Sequence, residues 1–535
     1  MTHQFREAAH QFATACTRRG LHPHFLLFLG FWLVASWFVA IGKANDVDGV
    51  GAQYWDWSHR LQFCYVNKPP LLTYIYWLTT GVFGDREWVF ELLRLAAVFG
   101  TIIMLNRLTW RITAHAGAAG LAGAFFAVHG ITPFLLLNDA TDHLLALFWL
   151  AAMWAFHRAI HGARGGWVLT GLFLGLGLLT KHTMVVLPAA FFFYLLLFGR
   201  THLRTRGPYM ALALMLLCNA GVLYWNMQHA WIAISHMQSI NRGGPAMNHA
   251  QALENLAAYL RGQYYGFQPL YVLAAIVSFL VLLVTHGRKH NSDVAFLLTP
   301  FSMLLGTYMF IGLQRTIFPH WTLCAWIVAA AAIAWAARPL LRRAVVPIVL
   351  LVMALYYVQI AYTEYQAPGR NVGRYIQQVE QKYAREGDFF FASQHNIIGL
   401  LSLYLEEPWD IHILPHLDYH VNQYDFWHDW EGTRGRDALY VGLLRGIDAQ
   451  GIVFWATNIL GMFESGEVLE VAQVRESVYT QEEIAVVRFY NCQSVPPVAL
   501  LRLVPAITGL AHHFYITYTE AMESGRLYEI LDMPR

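Results

Sequence analysis

From Phe25 to Tyr362 the chain is a succession of apolar runs, most of them long enough to cross a ~30 Å hydrocarbon core at ~1.5 Å per residue. This pattern constrains the fold before any motif is read. A backbone inside lipid must satisfy its own N–H and C=O groups, and a helix does so within a single segment. Composition agrees: 57% of the 535 residues are hydrophobic and 13% are charged, where a soluble domain is about 25% charged. From Glu364 to Arg535 the texture turns mixed and charged, with DFFFASQ, DALYVGLL and EEIAVVRFY reading as strands. The expected fold is therefore a polytopic α-helical membrane protein, with a transmembrane domain over 1–363 and a soluble α/β domain over 364–535. Five scattered cysteines with no CxxC pair argue against a disulfide framework or a zinc ribbon. A net charge of +2 points to no nucleic-acid partner.

Eleven runs qualify as spans: Phe25–Ile41, Val89–Leu108, Ala116–Leu136, Leu144–Phe156, Trp167–Thr180, Met184–Phe198, Tyr209–Tyr224, Leu270–Val284, Val294–Ile311, Thr316–Trp335 and Val345–Ala361. Pro70–Phe83 is apolar but short, opens on Pro69-Pro70 and carries Thr73, Tyr74, Tyr76 and Trp77, so it is expected to lie at the interface as an amphipathic helix. With that choice, one side collects fifteen Lys and Arg in its short connections and the other side eight. The basic side is the cytoplasmic one. The N-terminus is then cytoplasmic, and eleven crossings put the C-terminal domain outside. Three segments share the outer side: Gly42–Trp88, the turn Asn138–Asp142, and Met227–Pro269.

The first outer segment carries Asp46 and Asp48, then AQYWDWS, NKPPLL, FGD and Arg94-Leu95, in that order. Further along come NDATDHLLALFW, GLGLLTKHTMVVLP and VLYWNMQHAW, and in the tail LYLEEPWDIHIL and HVNQYDFWHDW. Taken together and in this order, these motifs resemble the polytopic GT-C glycosyltransferases, the superfamily of protein O-mannosyltransferases and of the lipid A aminoarabinose transferase. The resemblance covers nearly the whole chain. One departure concerns the acid: the family pattern places it four residues before the tyrosine, and four residues before Tyr54 stands Val50. Counting back from Tyr54, Asp48 and Asp46 are the nearest carboxylates, and the resemblance implies them as the first candidates for the base.

The resemblance implies an integral-membrane inverting glycosyltransferase that takes a sugar from a polyprenyl-phosphate donor and passes it to a cell-envelope acceptor, whether lipid A, another glycan or a protein. Such chemistry suits these residue types. The leaving group is a phosphate, so fixed positive charge is of more use than a general acid, and a carboxylate can take the acceptor's proton. The implied catalytic residues are Asp48 or Asp46, with Asp142 as a further candidate. The implied substrate-binding residues are Lys68, Lys181, Arg242, Tyr54 and Trp55. No residues have the ligand spacing of a tight metal site; some relatives of this fold use a divalent cation, and none is expected to be required here. Expected partners are the lipid-linked sugar, the lipid or glycan acceptor and membrane lipids. The expected location is a bacterial inner membrane.

Each motif also has a plainer reading. Asp142 follows Thr141 at the start of an apolar run, where an acid favours a helix N-terminus. His229 and His236 read as packing histidines, and Gly171, Gly175 and Gly177 as close helix contacts. The rival class is a transporter or flippase of lipid-linked substrates. It is disfavoured by the absence of an internal repeat and of paired broken helices, and by the small number of ionisable residues at span midpoints.

Overall fold

A computed structural model describes residues 14–17, 20–41, 45–138, 141–229, 231–241, 249–286, 292–342, 344–366, 369–414, 423–427, 430–443, 462–477 and 480–493. The chain divides into two compact units, neither continuous in sequence. One comprises Met1–Lys43, Glu91–Ala220 and Asn241–Ala367; the other comprises Ala44–Phe90, Gly221–Ile240 and Pro368–Arg535. A single cut after residue 363 thus misses a grouping in which the first loop and the 221–240 segment cluster with the tail.

The first unit is helical. Among the described residues, six helices are long and apolar enough to cross a membrane: Pro23–Ala40, Glu87–Thr113, Asp142–Ile160, Ser292–Gly312, Pro319–Ala336 and Val345–Gln366. Three bent pairs raise the number to nine if each is one span: Ala116–Ala127 with Ile131–Leu137, Gly207–Cys218 with Ala220–Gln228, and His249–Gly266 with Pro269–Thr285. The other two expected spans are the shorter apolar helices Gly166–Leu178 and His182–Phe198. Their 13 and 17 residues reach about 20 and 26 Å at 1.5 Å per residue. All eleven expected runs are helical over most of their length, then, but the count of spans by length and composition is six to nine.

The expectation of no broken helices is corrected. The break at 128–130 bends its pair by 63°, and the one at 267–268 by 98°. The break at 128–130 interrupts an apolar run, so hydropathy alone does not reveal it, whereas the one at 267–268 falls where a polar stretch gives way to the apolar run from Leu270. The two meet. His129 Nδ1 accepts the Ile131 N–H at 3.1 Å, which leaves Nε2 protonated to donate to the Phe267 carbonyl at 3.2 Å. Nearby, Gln263 Oε1 accepts Thr322 Oγ1 at 2.6 Å and Trp326 Nε1 at 2.8 Å.

Small residues let these helices approach closely, as the glycines of the sequence suggested. A Cβ on Gly120 would lie 3.0 Å from the Phe25 Cβ, and one on Gly175 would lie 2.6 Å from the Cys218 Cβ. Trp32 Nε1 donates to the Ala127 carbonyl at 3.0 Å, and Ser36 and Tyr357 share a hydroxyl hydrogen bond of 2.8 Å.

The second unit contains a five-stranded sheet built from β1 (Phe389–Ala392), β2 (Ile411–Ile413), β3 (Ala438–Leu443), β4 (Phe463–Ser477) and β5 (Thr480–Cys492), in the order β2-β1-β3-β5-β4. β1 runs parallel to β2 and β3, while β5 is antiparallel to both β3 and β4. β1 and β3 are buried along their whole length, which matches their apolar sequences FFFA and ALYVGL. Phe389, Phe391, Trp430, Phe463 and Phe489 form the aromatic core of one face. Arg488 pairs with Asp388 at 3.1 Å where both are buried.

Against this sheet domain the first loop folds as structure. Gly49–Ser58 and Leu71–Phe83 are helices. The first packs on helix His395–Tyr404 at backbone distance: a Cβ on Gly399 would sit 2.5 Å from the Gln53 nitrogen. The second buries Leu72, Thr73, Tyr76 and Thr80 along one stripe and exposes Trp77, Leu78, Val82 and Phe83. An apolar exposed face is what the expected interfacial position requires.

The close approach at Gly399 generates a prediction. Gly399→Ala forces a methyl onto main-chain atoms that cannot turn aside, so it should lower stability by about 1–3 kcal/mol. Thermal unfolding of the purified protein checks this, and an unchanged midpoint would refute the contact.

Candidate functional site

The residues singled out by sequence fall into two sets, one in each unit; Arg242 lies outside the described residues.

In the second unit, Asp48 is the N-cap of helix Gly49–Ser58, with φ −75° and ψ 161°, and its Oδ1 accepts the Gly51 N–H at 2.7 Å. The cap fixes the carboxylate at a helix entrance, where the positive end of the helix dipole favours its charged form. Asp46, two residues earlier, is fully buried and turned to the segment at 370–374. Its Oδ1 pairs with Arg374 Nε at 3.2 Å, its Oδ2 accepts the Arg374 N–H at 3.0 Å, and its carbonyl accepts Arg370 Nε at 2.7 Å. Loss of hydration raises the Asp46 pKa, and the hydrogen bond and charge of Arg374 work against that rise. Asp46 is thereby a tether between the loop and the tail.

Lys68 stands at the turn before Pro69-Pro70, where the proline rings stiffen the backbone. Its ammonium donates to Gln53 Oε1 at 2.5 Å and lies 4.8 Å from the centre of the Tyr54 ring and 5.7 Å from that of Trp57. Two aromatic faces and an amide oxygen thus hold a partly buried cation in place. Tyr54 belongs to this arrangement. Trp55 points elsewhere: its Nε1 donates to Asp85 at 2.6 Å and its ring packs on His59.

The charge of Lys68 also reaches His395, in the tail helix. Loss of hydration, then Lys68 and His236, bring the His395 pKa down to about 3, so this imidazole stays neutral at physiological pH. His395 and His236 were not predicted as neighbours of Lys68. No sequence signal could have found them, because both lie more than 150 positions from Lys68 and only the fold brings the segments together. The W-N-x-Q-H motif proves to be packing: Trp225 stacks on His229 at 4.0 Å and donates to Gln62 at 3.1 Å. Tyr404 anchors the loop from the other direction, accepting the Val47 N–H at 2.7 Å and donating to Glu87 at 2.8 Å.

In the first unit, Asp142 occupies the first turn of helix Asp142–Ile160, with Thr141 at the cap position. Lys181 Nζ reaches both carboxylate oxygens, at 2.8 and 3.0 Å. Asp142 is 1% exposed, so the pair replaces lost hydration with a bidentate charge-assisted contact. Tyr308, His320 and Cys324 lie within reach of the pair's field, and the Tyr308 hydroxyl is 2.7 Å from that of Thr183. Sequence alone places Asp142 and Lys181 as separate candidates; the structure makes them one ion pair. Arg94, of the R-L motif, is buried and donates to the Leu136 carbonyl at 2.9 Å.

With this geometry in view, the chain can be set beside known proteins. Residues 67–225 match the family described as dolichyl-phosphate-mannose-protein mannosyltransferase. That stretch opens one residue before Lys68 and contains both Asp142 and Lys181. Over 321 residues the chain is 25% identical to the lipid A galacturonosyltransferase RgtD of Rhizobium johnstonii, a match taking in 58% of this chain and 64% of that one. Over 178 residues it is 28% identical to the undecaprenyl phosphate-alpha-4-amino-4-deoxy-L-arabinose arabinosyl transferase of Enterobacter sp., covering 29% and 31% of the two chains. The chain therefore spans less than two thirds of the length of these relatives. Crystal structures of ArnT from Cupriavidus metallidurans, bound to undecaprenyl phosphate and in the apo state, each superpose with a TM-score of 0.58 at 14% identity, covering 86% of this chain and 97% of ArnT. At that identity the likeness is one of fold: the chain has an ArnT-like fold.

Proposed function

We propose that this protein is an inverting glycosyltransferase that moves a sugar from a polyprenyl-phosphate carrier to a lipid or glycan acceptor of the cell envelope. The observation that carries the reading is the setting of Lys68: an ammonium fixed by Gln53, Tyr54 and Trp57 at the rigid N-K-P-P turn. The matched family segment begins there. The relatives that transfer sugars to lipid A, or from undecaprenyl phosphate, support the same assignment.

In this reading Lys68 faces the donor phosphate. As the anomeric C–O bond breaks, the phosphate gains charge, and a prepositioned ammonium stabilises that change without reorganising. A phosphate oxygen competes with Gln53 for the Nζ protons. Asp48 takes the proton of the attacking hydroxyl or amine. Asp46 is set aside for that role, because its carboxylate is occupied by Arg374. Attack opposite the phosphate inverts the anomeric centre. The transfer uses no resident cofactor or metal. The protein is a multi-pass membrane protein; we place it in a bacterial inner membrane with the N-terminus cytoplasmic and the sheet domain periplasmic, on the asymmetry of its Lys and Arg.

Comparing envelope lipids and glycans by mass spectrometry with and without the protein tests the function. A sugar-dependent mass difference is expected, and its absence in lipid and protein fractions alike would overturn the assignment.

The two loop acids predict opposite defects. Asn caps a helix as well as Asp does, so Asp48→Asn should fold normally yet lower turnover by about 10²–10⁴ while sparing donor binding. Asp46→Asn should lower the unfolding temperature first, through the lost Arg374 pair. Full activity of the Asp48 variant would remove it as the base.

Lys68→Met should weaken donor binding as well as turnover, by about 1.5–3 kcal/mol for a lost charged contact. That is roughly 10- to 150-fold in kcat/KM. An unchanged KM for the lipid-linked donor would argue against phosphate contact. At the buried pair, Lys181→Met leaves the Asp142 carboxylate uncompensated and should cost about 3–5 kcal/mol of stability. Asp142→Asn combined with Lys181→Met should recover part of that loss, measured as a double-mutant cycle on thermal unfolding.

A further inference from the structure

We infer that the far end of helix Asp142–Ile160 carries a divalent transition-metal site, made by His157, His161 and Asp293, which the transfer reaction does not use. His157 lies fifteen residues beyond Asp142 on the same helix, roughly 22 Å along its axis at 1.5 Å per residue. The cluster is therefore remote from the Asp142–Lys181 pair.

Three observations point to a metal. First, the donor atoms of the three residues all lie within 4.8 Å of one another. Imidazole and carboxylate are the ligand types that zinc takes in sites of this kind. Second, His157 Nε2 and Asp293 Oδ1 are 3.1 Å apart. Two ligands each about 2.0–2.1 Å from a tetrahedral zinc stand about 3.3 Å from each other, so this edge of the site already has nearly the right length. Third, His161 has its tautomer set. Its Nδ1 is 2.7 Å from the His157 carbonyl, and a carbonyl only accepts, so Nδ1 carries the proton and Nε2 keeps its lone pair. A backbone carbonyl holding the second nitrogen of a histidine is the usual support of a metal-bound imidazole.

The i, i+4 spacing puts the two histidines on one face, with ring centres 4.3 Å apart. His157 is buried, Asp293 partly exposed and His161 at the margin, so an ion has a route in and His161 can turn to close the third edge. One group opposes the ion. Arg111 Nε lies 3.5 Å from His157 Nδ1 and must swing away when His157 binds through Nε2 and takes a proton on Nδ1. Arg111 is exposed and has room to do so.

The bound ion would clip the end of helix Asp142–Ile160 to the start of helix Ser292–Gly312, two elements 136 positions apart at the His157–Asp293 contact. Its effect is on stability, so the test does not depend on the proposed glycosyl transfer. Full-length protein, its affinity tag removed, is stripped with chelator and titrated with Zn2+ alone. Metal content, calorimetry and thermal unfolding are then read against His161→Ala and Asp293→Asn. The wild type should bind one more equivalent than either variant, or bind that equivalent at least ~10-fold more tightly. Its unfolding temperature should rise with Zn2+ where theirs does not. Co2+ should give tetrahedral d–d absorption in the wild type alone, and Arg111→Ala should tighten binding. Equal zinc binding and equal thermal response in wild type, His161→Ala and Asp293→Asn would overturn the site.

Discussion

Every polar backbone group inside a bilayer has to be satisfied by protein, and the helical unit is organised around that requirement. Unbroken helices meet it along their length. At the breaks it has to be met by side chains or by another break. His129 does both, accepting from its own chain at Ile131 and donating to the carbonyl of Phe267 at a second break. Gln263 serves two more donors close by, and Arg94 takes up the Leu136 carbonyl at the end of the first bent pair. Several buried polar residues of this unit are thus in the service of bending, while others, such as Thr101, Thr109 and Thr170, bond the carbonyl one turn back on their own helix. An apolar substitution at His129 would leave a main-chain N–H and a carbonyl without their partners in a dry interior, at a cost set by desolvation.

The same requirement shapes the charge pairs. Asp142 and Lys181 neutralise each other where neither is well hydrated. This gives Lys181 a structural occupation in addition to any anion it meets. Lys68 is held in another way, by the faces of Tyr54 and Trp57 and by the Gln53 amide oxygen. Its place at the rigid N-K-P-P turn, where the matched family segment begins, is the ground for giving Lys68 the donor phosphate. The acids divide in a similar way. Asp46 is tied to an arginine and to backbone N–H, while Asp48 is set by a cap that asparagine could equally make.

Much of the helical architecture was legible in the residues. The eleven apolar runs are helical over most of their length, with breaks inside Ala116–Leu136 and Tyr209–Tyr224, Pro70–Phe83 is a separate short helix with a lipid-compatible face, and the strand-like runs of the tail are strands. The motif order led to the fold. The bend at Ala127–Ile131 was not legible, because that stretch differs little in hydropathy from the helices around it; at Gly266–Pro269 the change from polar to apolar sequence was legible, and the bend was not. The candidate residues were legible as types and not as partners. Nothing in the spacing of Asp142 and Lys181 joins them, and His395 lies more than three hundred positions from Lys68. The His157–Asp293 contact was invisible for the same reason: one histidine pair at i, i+4 is common, and its third member comes from a different helix.

What the sequence determined by itself was the solvent of each segment, since burying apolar surface and satisfying backbone groups are local in their demands and leave their mark in composition and period. It also set the chemistry on offer: two acids, a lysine beside two prolines, and an aromatic stretch between them. Tertiary structure decided which of those groups are already engaged. Whether Asp46 is an available base or a tether depends on Arg374, which the fold brings to it from 328 positions away. Charge interactions fall off over a few ångströms and depend on local hydration, so they are properties of the folded neighbourhood and cannot be read from position along the chain.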